Sequence, residues 1–222
     1  MDCKMAAIPA VVLITLLLAA NAEDLQMRHR QAVLKNHNRY RRDLAHGNVV
    51  NKDGRSLPSA KNMYEFKYNL GLEKIAKKWA ERCKFEHSPP EKRQFTGEAM
   101  YTWTQNIDPS ILVDNATEFW WKELPNFGID PTLEFTPKEF SKGIGHFTQM
   151  AWGDTTSVGC AVKLCPQFAF LVCNYSPAGN IFHKPIYQKG RPCKVNSDCD
   201  RYPNSKCNSK RGLCVRGRVK NV

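Results

Sequence analysis

Nine cysteines set the tightest limit on what this chain can fold into, because the first stands apart from the other eight. Cys3 sits beside Lys4 and an apolar run from Met5 to Ala20, and Ala20-Asn21-Ala22 has the small-x-small form cut by signal peptidase. Residues 1–22 therefore read as a signal peptide, and the exported chain begins near Glu23. The run is short and no stop-transfer charge cluster follows it, which argues against a membrane anchor, and no later stretch could span a bilayer. Export leaves Cys83, Cys160, Cys165, Cys173, Cys193, Cys199, Cys207 and Cys214, an even set in an oxidising route, so four disulfides are expected. A zinc ribbon would need paired C-x-x-C spacings, and none occurs.

Residues 23–222 suffice for one sizeable core with a small appendage. The formal charge of +12 survives loss of the leader, which removes one acid, Asp2, and one base, Lys4. Such a basic extracellular surface suits weak attraction to an anionic glycan or lipid surface. Nucleic acid is not an expected partner, because the route is secretory and the Lys and Arg are scattered. The cluster Arg211 to Lys220 reads as a frayed tail.

Along the chain, Val33, His37, Tyr40 and Leu44 share one helical face ahead of a left-handed cap at Gly47, and His37 reads as a hydrogen-bonded core residue. Tyr64, Phe66 and Tyr68 alternate as in a short strand. Leu72, Ile75, Ala76, Trp79, Ala80 and Cys83 form a second amphipathic helix whose end delivers His87 just behind a tethered cysteine, before Pro89-Pro90 forbids continuation. Asp108 and Pro109 open a third helix, with Leu112, Ala116, Phe119 and Trp120 on its buried face and Pro125 closing it. Glu123 continues that face. It either meets a compensating charge inside or lies in water on a frayed last turn, and periodicity does not choose.

Thr136-Pro137-Lys138-Glu139 is a capping box before the Gly143 and Gly145 breaks. Gly145-His146-Phe147-Thr148-Gln149-Met150-Ala151-Trp152 then reads as a short buried helix with an ionisable first residue. The helix dipole there disfavours imidazolium, and a neutral ring can bind metal or accept a hydrogen bond. Ser157–Leu164 and Phe168–Tyr175 make a hairpin in which Cys160 and Cys173 lie opposite, leaving Cys83 and Cys165 to pin the second helix to the hairpin end. From Cys193 to Cys214 there is almost no apolar residue, so this segment reads as a knot on a linker, held by disulfides. Asn115-Ala116-Thr117 is a glycosylation sequon, whereas Asn174-Tyr175-Ser176 is weakened by strand burial and the following Pro177.

GHFTQMAW at Gly145–Trp152, FLVCNYSPAGNI at Phe170–Ile181, HNRYR at His37–Arg41, CKFEHS at Cys83–Ser88 and GEAM at Gly97–Met100 together resemble the CAP superfamily of cysteine-rich secretory, venom-antigen and pathogenesis-related proteins. The likeness covers roughly Asp24 to Lys189, and the tail resembles the short knot of nematode secreted venom-allergen-like proteins. It implies an α+β fold, a three-layer α-β-α sandwich over residues 23–185 with a small disulfide-rich knot and basic tail over residues 186–222.

The resemblance also implies a cleft lined by His87, Glu98, Glu123 and His146, suited to a divalent metal, zinc first among them. It puts Glu123 on the buried side. Ala99 replaces the family's usual asparagine, which would leave the Glu98 rotamer less fixed. Thr96 and Ser176 stand where snake-venom members carry a disulfide, and their joint loss supports Cys83–Cys165 and Cys160–Cys173. Cys193–Cys207 and Cys199–Cys214 are the expected pairs in the knot. The function implied is that of a secreted, monomeric binding protein carrying sterol or fatty acid, or acting on host immune or other extracellular protein targets. The alternative is a zinc-dependent, peptidase-like hydrolase using the same four residues. Channel antagonism is disfavoured by the shortness of the knot.

Overall fold

The computed structural model describes residues 25–104 and 107–217, so the expected signal peptide, residues 1–22, lies outside the described residues. In chain order the elements are α1 (Met27–Ala45), β1 (Ala60–Lys61), β2 (Lys67–Tyr68), α2 (Leu70–Ala80), β3 (Gly97–Trp103) and α3 (Pro109–Phe127). They continue through β4 (Glu134–Phe135), α4 (Pro137–Phe140), α5 (Gly145–Ala151), β5 (Ser157–Leu164) and β6 (Ala169–Ser176). The C-terminal elements are β7 (Lys184–Pro185), β8 (Gln188–Lys189), β9 (Lys206–Asn208) and β10 (Leu213–Val215).

The central sheet has the order β2-β5-β6-β3, antiparallel except where β2 pairs with β5. Its strands are apolar on both faces because both faces are covered. Met100, Ala161, Phe170 and Val172 point to α2 and pack with Ala76, Trp79 and Ala80. Their neighbours Ala99, Cys160, Val162, Leu171, Cys173 and Tyr175 point the other way, into a core shared with α1, α3 and α5 through Val33, Leu112, Ala116, Trp120 and Met150. This is the expected three-layer sandwich. A second core beside it joins Leu44, Leu124, Phe135, Ile144, Phe147, Trp152 and Tyr187. Gly159 is required where α2 meets β5, because a Cβ there would overlap the Asn69 carbonyl and the Glu73 amide.

Four disulfides close, pairing Cys83 with Cys165, Cys160 with Cys173, Cys193 with Cys207 and Cys199 with Cys214. Cys160 and Cys173 face each other in the β5–β6 register, and Cys83 ties the segment after α2 to the hairpin turn. The second core bond thus anchors the His87 loop. His37 is fully buried, its ring bonded to the Val33 carbonyl at 2.8 Å and the Tyr175 hydroxyl at 3.0 Å, as expected of a core histidine.

Several local expectations are corrected. Phe119 is 57% exposed rather than buried, because the covered arc of α3 runs through Leu112, Val113, Ala116, Thr117, Trp120 and Glu123, and residue 119 falls beyond its edge. Pro125 does not close α3. It removes one ladder bond inside the last turn, and the helix runs on to Gly128, where φ is 72°. Helix α2 ends at Ala80, three residues short of Cys83, whose φ of 50° turns the chain toward its disulfide. The alternating segment forms only the two-residue β2, with Tyr64 in an isolated bridge to Cys214. Thr136 caps α4, but the Glu139 carboxylate bonds Lys142 at 2.7 Å rather than returning to complete the box.

The knot does not hang on a linker. Glu65 donates its amide to the Cys214 carbonyl at 2.7 Å, the Cys214 amide donates to Met63 at 2.8 Å, and Leu213 is buried in the second core. Nor are residues 211–217 frayed: β10 pairs with β9, Arg211 bonds Glu65 at 2.6 Å, and Arg216 lies 4.3 Å over the Tyr202 ring. The rest of the expected tail, residues 218–220, lies outside the described residues.

Candidate functional site

Four elements supply one residue each to a cleft of about 640 Å³: His87 from the loop behind α2, Glu98 from β3, Glu123 from α3 and His146 from α5. The residues converge as two imidazole–carboxylate pairs. Nδ1 of His87 donates to Glu98 Oε1 at 2.9 Å, and Nδ1 of His146 donates to Glu123 Oε1 at 2.5 Å. An ionised carboxylate can only accept, so each ring carries a proton on Nδ1, and the neutral form of each ring presents Nε2 as a lone pair. The side chains of Glu98 and Glu123 are 1% and 7% exposed, against 56% for His87 and 29% for His146. The carboxylates are therefore the fixed, dry half of each pair, and the rings are the half a ligand can reach.

Glu98 is held without the asparagine that Ala99 replaces. Ser88 donates its amide at 2.8 Å and its hydroxyl at 2.6 Å, and His87 supplies a third bond, so the rotamer is fixed after all. Ala99 itself faces the core on the other side of the sheet. Arg93 closes this loop by donating to the carbonyls of Ser88 and Thr96. Burial works to raise the Glu98 carboxyl, but the bonds from His87 and Ser88 outweigh it and hold its pKa below the ordinary 4.5. A carboxyl depressed in the folded state stabilises the fold above its unfolded pKa and loses that contribution as pH falls through the folded value. Glu98→Gln is accordingly expected to flatten the decline of melting temperature on the acid side of about pH 4.5. A variant whose acid titration overlays the wild type would show that this carboxylate carries none of it.

Glu123 caps α5. Its Oε2 accepts the amides of His146 and Phe147, both at 2.9 Å, so the positive end of the short helix is met by a buried carboxylate rather than left facing the imidazole. His146 is part-exposed, stacked at 5.6 Å on Trp120, and not enclosed as its apolar surroundings in sequence imply.

Sequence reading missed the polar wall beside His146, where α5 meets the loop after β6. Gln149 accepts the Gly179 amide at 2.9 Å and donates to Thr155 at 3.2 Å, while Asn180 joins Thr148 at 2.7 Å and the Gly145 carbonyl at 2.8 Å. Gly97 is needed here because a Cβ would overlap the Gln149 amide. The polar residues inside GHFTQ and the loop after β6 were the available signal. Phe95, Phe140 and Phe182 are 74%, 54% and 46% exposed around the mouth of the cleft. Elsewhere, Cys193, Cys199 and Cys207 approach one another as metal ligands do, but all three are consumed in disulfides. Asn115 lies half-buried on α3, with Thr117 buried and bonded to the Val113 carbonyl at 2.9 Å.

A family model described as "CAP: Cysteine-rich secretory protein family" matches residues 34–175, more than half of the chain. The chain belongs to the CAP family. It is 35% identical over 189 residues to the Ancylostoma secreted protein of Ancylostoma caninum, a match covering 83% of this chain and 43% of that relative. It thus spans less than half the length of that protein. Among solved structures it resembles BmVAL-1, with a TM-score of 0.81 and 35% identity over 87% of this chain and 97% of that one. It also resembles NaASP2, solved with Zn2+, with a TM-score of 0.79 and 34% identity over 86% and 97%. The CAP protein described here is therefore related to venom-allergen-like proteins of nematodes, and among the described residues no helix is long and apolar enough to cross a membrane.

Proposed function

We propose that this is a secreted, monomeric CAP-family binding protein whose cleft holds one divalent cation, zinc foremost, through Nε2 of His87 and His146. One observation carries the reading: both rings line the same cleft, each with its Nδ1 committed to a buried carboxylate. A second-tier carboxylate behind each ring is the usual support for a zinc-binding histidine, setting the tautomer and raising ligand basicity. Glu98 and Glu123 would hold and orient rather than ligate. A bound ion would supply Lewis acidity at the floor of the cleft. The relative NaASP2 was solved with Zn2+, which supports the choice of metal.

The hydrolase alternative asks one of the same carboxylates to act as general base. Each already accepts three hydrogen bonds from imidazole, amide or hydroxyl, which argues for a binding role over catalysis. Carriage of sterol or fatty acid and action on host proteins belong to the same proposal. The exposed aromatic side chains at the cleft mouth offer apolar contact for such partners. Secretion after loss of residues 1–22, with a CAP unit over residues 23–185 and the knot over residues 186–222, completes it. The leader motif, the disulfides and kinship to a protein named as secreted support this.

Native mass spectrometry of the secreted protein, titrated with zinc, is expected to show one ion bound by wild type and at least about tenfold weaker binding in His87→Ala and His146→Ala. Stoichiometric zinc in the double variant would remove the site. Zinc-dependent peptide cleavage by wild type, lost in both variants, would turn the reading to the hydrolase. Delipidated protein that fails to take up cholesterol or palmitate saturably would remove the lipid part alone.

A further inference from the structure

The outer face of α2 and the segment leading into β3 border an open groove of about 830 Å³ that the cleft chemistry does not use. Lys74 and Lys78 stand one turn apart on its helical wall, Lys92 faces them from the Pro90–Arg93 turn, and Lys77 joins the lining; Glu81 is the carboxylate among the lining residues. Lys74, Lys78 and Lys92 are exposed, and none is ion-paired among the described residues. Like charges at i, i+4 on a helix destabilise it slightly, so the arrangement favours a polyanion over bare solvent. A comparable hollow beside α1 also carries cations, but there Arg42 is committed to Asp43 and Arg211 to Glu65. Thr96 and Ser176, the hydroxyl residues standing where the resemblance puts a disulfide, also line the α2 groove.

We infer that this groove is a binding site for a sulfated polysaccharide strand, with Lys74, Lys78 and Lys92 meeting sulfate groups and Ser176 and the exposed Asn69 available to sugar hydroxyls. Cations on two walls, from α2 and from the Pro90–Arg93 turn, with the polar side chains of Asn69, Gln94 and Ser176 between them, suit a linear chain carrying both sulfates and hydroxyls, which selects a glycan over an anionic membrane. The inference is independent of the metal proposal, since no lining residue of the groove except Thr96 borders the cleft.

The test compares the secreted wild type with Lys74→Gln/Lys78→Gln/Lys92→Gln and with a control of equal charge, Lys52→Gln/Lys138→Gln/Lys184→Gln, whose lysines are all exposed and lie outside the groove. The probe is a size-defined heparin hexasaccharide, with calorimetry at physiological salt. Affinity is expected to fall about tenfold in the groove variant, with a shallower salt dependence, and to change less than about twofold in the control. Equal losses in both variants would mean that net charge alone attracts the glycan, and would overturn the site. Phosphatidylserine vesicles bound through the same lysines, with no hexasaccharide binding, would overturn the choice of partner. Unchanged melting temperature and unchanged zinc binding in the groove variant would confirm that fold and cleft are intact.

Discussion

Replacing Arg41 by methionine is expected to abolish accumulation of folded protein. The side chain is fully buried on α1, and its guanidinium serves five backbone carbonyls. Nε donates to Tyr64 at 2.7 Å, Nη1 to Met150 and Trp152 at 2.8 Å each, and Nη2 to Gly153 and Thr155 at 3.2 Å each. Its face lies 4.2 Å from the centre of the Phe66 ring. Burial pulls its pKa down to about 9, slightly opposed by Asp154, which still leaves a cation at neutral pH. No helix or strand ladder satisfies the carbonyls at the end of α5, so one planar cation does the work of a missing ladder. Each buried acceptor left without a donor costs about 1–3 kcal/mol, and a typical domain has only about 5–15 kcal/mol to lose. Lysine, with one nitrogen on a flexible stem, cannot reach all five and is expected to fail as well. The measurement is yield of folded protein and denaturant midpoint. Arg41→Met protein melting within about 5 °C of wild type would show that water replaces the guanidinium.

The second large effect is at Glu123. Alanine there strands the amides of His146 and Phe147 and releases the His146 ring, with an expected loss of about 2–4 kcal/mol of stability. Because the carboxylate also sets the imidazole tautomer, zinc affinity is expected to fall about 10–100-fold. Glutamine keeps one acceptor but turns an NH2 toward a donor, so Glu123→Gln should fall between alanine and wild type in both readouts. Calorimetric zinc titration alongside thermal melts separates the two roles. A destabilised Glu123→Ala protein with wild-type zinc affinity would leave the carboxylate as a helix cap and nothing more.

Much of the frame was legible because it depends on neighbours a few residues apart. The face of Val33, His37 and Leu44, the Asp108 cap and the hairpin symmetry that opposes Cys160 to Cys173 are all short-range patterns, and each is present. The points misjudged or left open are ones where local pattern is indifferent. Phe119 and Glu123 both sat near the edge of one helical stripe, and only the elements laid against α3 expose the first and bury the second. Pro125 signalled an end that packing overrode. Ala99 suggested a loosened Glu98, whereas the support comes from Ser88, ten residues away and across a loop closed by Arg93.

By itself the sequence determined the disulfide-bonded class, the helix and strand periods, and the residue types able to bind a metal. Tertiary structure alone decided that each imidazole meets its own carboxylate, that Arg41 finds five carbonyls, and that the knot docks on the domain instead of trailing from it. The physical reason is range: a periodic pattern is written within one element, but a cleft depends on how four elements pack, and packing angles have no local signature.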